Sequence, residues 1–397
     1  MRLKHLFLCG ASMLASTMLF SCQQENEPAP AINGPKDGMI EWTANINLPD
    51  NFRTRAADSF AVGSDGLYTF NREIDKLWYG VYYDGAYFYD CTSENAPVPQ
   101  KIEDGKFTVL FKFNNNIDPS KVYLFFWAGN ESDNVTTNDV QTVTDGINLN
   151  FQKRCVSVDP KYMNGNNIEL KEYDSFASYV QLSTSNNVTD YNKSVTLKRP
   201  FAQIHVLSDE FTGAGGTSGF ENGLTVVPGF GVETATKSNY TNNLLSPTTW
   251  YFDDSINASP VYKKNEFSYS LTNYEHTNSW SGTSPERVTF KGRNMDYLGC
   301  YYVFAPIIKS PLKYAEATSN FSVLGKVNLA FRDKNKVIAN SDFVSVELPS
   351  EGIQANNRYV IYNKSTSEGG TGGFLTSNFV FEIVTDPEWN EDKEISK

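Results

Sequence analysis

Histidine is scarce in this chain, with three among 397 residues, and neither an HxxxH nor a CxxC spacing occurs anywhere. That argues against a zinc site built from neighbouring ligands. Cysteine is nearly as sparse: Cys9, Cys22, Cys91, Cys155 and Cys300 lie too far apart for a disulfide scaffold. Basic residues are outnumbered, 34 Lys and Arg against 46 Asp and Glu, for a formal charge of −12. A nucleic-acid partner is therefore not expected, because phosphate binding draws on an excess of cations. Beyond residue 20 no run is long and apolar enough to cross a bilayer as a helix.

Catalytic patterns are missing too. Gly213 to Gly219 reads GAGGTSG, but Ser218 stands where a dinucleotide-binding loop needs its third glycine, and Phe220 spoils a nucleophile elbow around the same serine. His205 follows Ile204 in an alternating run and reads as a strand residue rather than a base. The acidic pairs Asp209-Glu210 and Asp253-Asp254 read as turn residues. No enzyme, catalytic residue, metal or cofactor is expected.

What the chain has in abundance is aromatic residues, 14% of the total with 22 Tyr and 27 Phe, together with Asn, Thr and Ser. That composition is typical of a β-protein. The N-terminus differs from the rest. Arg2 and Lys4 precede an apolar stretch from Leu6 to Phe20, too short to span a membrane, and Ser21-Cys22 closes it. The order of charge, apolar core and small residue is that of an export signal, assigned to residues 1–21. Leu19-Phe20-Ser21-Cys22 resembles the lipobox of bacterial lipoproteins, which implies that Cys22 becomes the lipidated N-terminus and tethers the body to a membrane. Losing residues 1–21 leaves 376 residues and moves the charge from −12 to −14, since two bases and no acid depart.

Residues 22–37 are polar, with Pro, Gly and acid, and read as a flexible tether. Gln23 to Glu27 resembles an acidic surface-export stretch, which implies the outer leaflet. From Met39, MIEWTANINL alternates Ile40, Trp42, Ala44, Ile46 and Leu48 against polar neighbours, a half-buried strand. A loop follows with two arginines, Arg53 and Arg55. Asp84-Gly85 sits between aromatic runs as a tight hairpin turn. KVYLFFWAG is apolar on both faces, which predicts a central strand covered on each side. Residues 130 to 167 are Asn-rich, with one short strand candidate (INLNF) and a helical turn near DPKYMNG. Pro200 breaks the run from Ser194 to Phe211, and Gly-rich 212–222 reads as a linker. Short strands bounded by turn residues recur on both sides of it. The expected organisation is all-β: one sandwich over 38–211, a second over 223–388 and a charged tail at 389–397. Cys91, Cys155 and Cys300 allow one disulfide and a thiol, or three thiols.

The order of several motifs carries a resemblance: the lipobox, the first strand before Arg55-Ala56-Ala57, LKRPFAQIHV (Leu197 to Val206), YLGCYYVFAP, Asn357-Arg358-Tyr359 and a final LTSNFVFEIVTDPEW. Together they resemble the Bacteroidetes fimbrillin-like lipoproteins, related to the major fimbrial subunits of type V pili. Asn357-Arg358-Tyr359 departs from the usual Asn-Tyr-Arg order. The resemblance implies two tandem transthyretin-like β-sandwiches and a cell-surface, outer-membrane lipoprotein, either a pilus subunit or an accessory or anchor subunit. It also implies processing at Arg53 or Arg55, which frees the first strand so that a neighbouring fimbrial subunit refills the groove by donor-strand exchange. The alternating Phe379, Phe381 and Ile383 have the form of a donor. The alternative is a monomeric surface lipoprotein binding a glycan or host ligand, for which the rings from Trp78 to Tyr89 are candidates if exposed, although core packing explains them first.

Overall fold

The structure is a computed structural model that describes residues 39–48, 59–62, 68–71, 73–103, 105–133, 135–137, 146–158, 175–185, 191–208, 224–229, 232–233, 245–253, 261–264, 269–270, 287–306, 313–314, 321–322, 326–333, 336–337, 343–363 and 379–384. Among them are strands and one 3-10 turn, Pro119–Lys121, and no α-helix. The first fourteen strands are β1 (Met39–Asn47), β2 (Ser59–Val62), β3 (Tyr68–Asn71), β4 (Lys76–Tyr83), β5 (Ala86–Asp90), β6 (Gln100–Glu103), β7 (Lys106–Asn114), β8 (Val122–Gly129), β9 (Val135–Thr136), β10 (Ile147–Asn150), β11 (Cys155–Val158), β12 (Phe176–Gln181), β13 (Asn192–Thr196) and β14 (Phe201–Ser208). The others are β15 (Leu224–Gly229), β16 (Val232–Glu233), β17 (Leu245–Tyr251), β18 (Val261–Lys264), β19 (Tyr269–Ser270), β20 (Arg287–Phe290), β21 (Arg293–Phe304), β22 (Lys313–Tyr314), β23 (Phe321–Ser322), β24 (Lys326–Asp333), β25 (Lys336–Val337), β26 (Phe343–Glu347), β27 (Arg358–Asn363) and β28 (Phe379–Val384).

Two four-stranded sheets form the N-terminal sandwich. The first runs β13-β1-β7-β6 and the second β12-β8-β4-β5. Alternation dictates the packing: Trp42, Ala44 and Ile46 of β1 and Phe107, Val109, Phe111 and Phe113 of β7 share one core with Leu77, Tyr79 and Val81 of β4 and Leu124 and Phe126 of β8. Asp84 and Gly85, both at positive φ, make the expected tight turn between β4 and β5.

The second sheet is covered on its other face as well, as the apolar run of β8 predicts. Phe125 stacks on Phe252 at 3.7 Å between ring centroids, Phe151 lies 6.2 Å from Phe125, and Trp127 meets Phe201 edge-on. Gly80 in β4 has a reason in this layer. A Cβ there would stand 2.7 Å from the Phe151 ring, so the strand gives up a side chain to admit an aromatic one. Tyr82 donates a hydrogen bond to the Phe151 carbonyl at 2.7 Å and Arg154 pairs with Asp253 in a nearly buried ion pair.

Strand partnership does not divide at 212–222. The third sheet, β22-β18-β17-β11-β10-β9, places β9 to β11 from before that segment beside β17, β18 and β22 from after it. In the fourth sheet, β20-β21-β14-β27-β28, β14 lies between β21 and β27. Pro200 marks the change: β13 just before it belongs to the first sheet and β14 just after it to the fourth. The proline cannot continue a ladder, so the chain crosses there from one sheet to another. The fifth sheet runs β19-β15-β24-β25, with β26 also on β24, and touches the fourth where β15 and β19 meet β21 and β26 meets β28. Short pairs β2–β3 and β16–β23 complete the set. INLNF supplies β10 through Asn150, with Phe151 opening the turn that follows, and β11 comes directly after as a strand the pattern does not predict. The turn expected near DPKYMNG and the linker at 212–222 lie outside the described residues.

Substituting Gly80→Ala should lower stability by about 1–3 kcal/mol, as overpacking does. A urea-unfolding midpoint unchanged from that of the parent chain would contradict the tight approach of Phe151.

Candidate functional site

β1 is an inner strand. All nine of its residues face β7 in antiparallel register, Met39 opposite Asn114 through Asn47 opposite Lys106. Thr43 through Asn47 also run parallel to Asn192 through Thr196 of β13. Its middle is tied by a backbone bond from the Thr43 amide to the Tyr191 carbonyl at 2.9 Å, and its C-terminal end by bonds from Leu48 to Gly105 at 3.0 Å and from Leu197 to Asn47 at 2.9 Å. Its inward side chains, Trp42, Ala44, Ile46 and Leu48, are buried, and Trp42 meets Tyr191 edge-on at 5.1 Å. Its outward side is polar and lightly held: Glu41 bridges Lys112 at 2.9 Å and Asn45 accepts from Thr108 at 3.3 Å. Exposed pairs of this kind contribute little, about 0–1 kcal/mol. Burial does the holding, at about 1.5–3 kcal/mol for each large apolar side chain. A groove left empty by β1 would thus forfeit an amount comparable with the whole stability of a typical domain, about 5–15 kcal/mol.

The proposed processing residues Arg53 and Arg55 and the lipidation residue Cys22 lie outside the described residues. The two arginines belong to the segment that joins Leu48, at the end of β1, to β2. At the other terminus β28 pairs along its full length with β27, Phe379 opposite Asn363 through Val384 opposite Arg358, and stands at the edge of the fourth sheet. Neither Cys91 nor Cys155 is in a disulfide, which removes a pairing of either with Cys300. Burial pushes the Cys91 thiol up to about 11. Of the aromatic run, Trp78, Tyr79 and Tyr82 are core residues, Tyr83, Tyr87 and Tyr89 are half-buried, and Phe88 is 49% exposed.

Two polar contacts were hidden in the sequence. Asp253, read as a turn residue, is buried against Arg154 and also accepts from the Tyr179 hydroxyl at 3.4 Å, a correction that follows from their separation by 99 positions in the chain. Within the fourth sheet, fully buried Arg358 places Nη2 3.4 Å from Nε2 of fully buried His205. Arginine only donates, so the neutral imidazole accepts through Nε2 and carries its proton on Nδ1. Burial, reinforced by the Arg358 charge, holds the His205 pKa well below its ordinary value. One strand rung away, Gln203 donates to the Tyr302 hydroxyl at 3.0 Å. These groups brace three strands against one another; His205 is a strand residue, as its alternation indicated. Among the described residues, no helix is long and apolar enough to cross a membrane.

No family model matches the chain, and no curated protein matches it. Solved structures are similar to it at low identity. The tip fimbrial protein Mfa3 from Porphyromonas gingivalis, with C-terminal truncation, is 12% identical at TM-score 0.37, over 87% of this chain and 99% of that one. A fimbrial assembly protein from Parabacteroides distasonis is 12% identical at TM-score 0.36, over 87% and 96%. The fimbrial anchor protein Mfa2 from Porphyromonas gingivalis is 10% identical at TM-score 0.32, over 87% and 97%.

Truncating the anchor of β1, Trp42→Ala, should cost about 3–5 kcal/mol in a denaturant titration. For His205 the folded pKa lies below the unfolded one, so its contribution is present above about pH 6.5 and is lost on acidification below it, at up to about 1.4 kcal/mol per pH unit. His205→Gln should flatten the stability profile between pH 6.5 and 5.5. Parallel profiles for parent and variant would contradict a buried neutral imidazole.

Proposed function

We propose that this chain is a non-enzymatic lipoprotein of the cell surface, held to the outer membrane through acylated Cys22. It acts in adhesion as a fimbrillin-like subunit, either within the pilus or as an accessory or anchor subunit, and joins other fimbrial subunits by strand exchange. The observation that carries this reading is the setting of β1. It is an inner strand whose two neighbours, β7 and β13, both offer main-chain hydrogen bonds, and it enters the core only through its own apolar face. Cleavage after Arg53 or Arg55 separates it from everything that follows. Its departure leaves a slot with donors and acceptors on both walls and an apolar floor, the requirement for strand addition.

A second reading, a monomer that binds a glycan or host ligand, draws on different residues. Tyr123 and Tyr179 stack at 5.4 Å on the second sheet's outer face, both half-buried, and Tyr87 is half-buried near Tyr82 on the same face. Partly exposed rings are suited to sugars.

The test is limited digestion of the chain, made without its export signal, with an arginine-specific protease, read by mass spectrometry and gel. A cut after Arg53 or Arg55 followed by heat-stable ladders with a partner subunit is the expected result. A chain that stays intact there, or that is cut and remains monomeric with every fimbrial partner, would favour the monomeric reading, and loss of glycan-array signal in Tyr123→Ala and Tyr179→Ala would then support it.

A further inference from the structure

Not every strand fits the slot that β1 fills, and the selective position is Ala44. It is fully buried midway along the apolar face, between Trp42 and Ile46 on its own strand and opposite Val109 of β7. Diagonally across lies Phe111, the partner of Trp42 in the ladder. The Phe111 ring meets Tyr79 edge-on at 5.2 Å and lies 6.4 Å from Phe126, both from the facing sheet. Alanine is the only small inward residue of β1, and it is fully buried in the same core as the Phe111, Tyr79 and Phe126 rings. Interiors are packed at crystal-like density, so a position filled by a methyl group in such surroundings admits little more.

The chain's own C-terminal strand fails this requirement on either face. Successive side chains of a strand alternate in direction, so a strand of this sequence offers Phe379, Phe381 and Ile383 on one side and Val380, Glu382 and Val384 on the other. Register shifts that keep the same side inward move by two residues. With the first side inward, each register that seats β28 over the middle of the slot brings Phe or Ile to the place of Ala44. With the second side inward, each such register puts Glu382 either at Ala44 or at one of its neighbours, Trp42 or Ile46, and buries a carboxylate.

We infer that the β1 slot rejects the C-terminal strand of a second copy of this chain and accepts a strand from a different subunit, one whose inward residues run large, small, aliphatic as Trp42, Ala44 and Ile46 do. The inference rests on the strand-exchange reading and adds the identity of the donor to it. Such a chain takes one place in a mixed assembly rather than repeating along a fibre of itself.

The experiment uses the full chain without its export signal, cut by the arginine-specific protease and refolded with fluorescent peptides. The probes are the β1 peptide (residues 39–48), the same peptide with Ala44→Phe, the β28 peptide (residues 377–386) and that peptide with Phe381→Ala. Anisotropy is expected to rank the β1 peptide tightest, with Ala44→Phe and the β28 peptide at least about tenfold weaker, the cost of overpacking a filled core. Phe381→Ala should recover part of the loss. Equal binding of the β1 and β28 peptides, or no effect of Ala44→Phe, would overturn the selectivity while leaving strand exchange standing. A chain that resists cutting after Arg53 and Arg55, or that once cut takes up no β1 peptide, would overturn strand exchange and the inference with it.

Discussion

The structure depends on one sheet being buried on both faces. β12-β8-β4-β5 supplies half of the N-terminal core through Leu77, Tyr79, Val81, Leu124 and Phe126. Through Phe125 and Trp127 it also supplies the surface against which Phe151, Phe252 and Phe201 pack. A two-sided sheet has no polar face to relax toward water, so its neighbours must conform to it. Gly80 illustrates the constraint, as a strand residue reduced to hydrogen so that Phe151 can close over it. The buried Arg154 and Asp253 pair stands at the margin of this layer, where the hairpin turn after β10 meets the end of β17. Such a pair adds little stability beyond a hydrophobic alternative, but losing one partner strands a buried charge.

Much of this was legible in local pattern. The doubly apolar run at β8, the Asp84-Gly85 turn and the alternation of β1 each carry their meaning within about ten residues, and each appears in the structure as read. Pro200 was legible as a break but not as a change of sheet, because a proline reports only that its own ladder bond is missing. β11 was not read at all. It sits beside Asn148 and Asn150, whose side chains are buried, in a stretch whose polar composition is that of a loop. The pairings of Arg154 with Asp253 and of Arg358 with His205 bridge 99 and 153 positions, and no periodicity encodes a contact at that distance. For the candidate site the balance is similar. The amphipathic strand was visible in the sequence, whereas its inner position between β7 and β13, with Ala44 one rung from Phe111, emerges only from the assembled sheets.

β1 and β28 also differ in a way that composition hides. Both are short strands with one strongly apolar side, yet one lies between two neighbours and the other at an edge. An edge strand leaves behind a single row of hydrogen-bonding groups that water can satisfy, whereas an inner strand leaves two rows facing each other across a dry floor. That difference, more than hydrophobicity, sets the backbone demands of the β1 position apart from those of β28.

The sharing of strands across residues 209–223 has a consequence for the covalent chain itself. Segments 39–208 and 224–384 contribute side by side to two sheets: β14 is held by β21 and β27, and β11 by β17. A nick in the Gly-rich bridge would therefore leave two fragments that remain partners, each supplying ladders the other cannot complete. The molecule is organised as a self-complementing pair that happens to be translated as one polypeptide, and its halves owe their association to interleaved strands rather than to the peptide that links them.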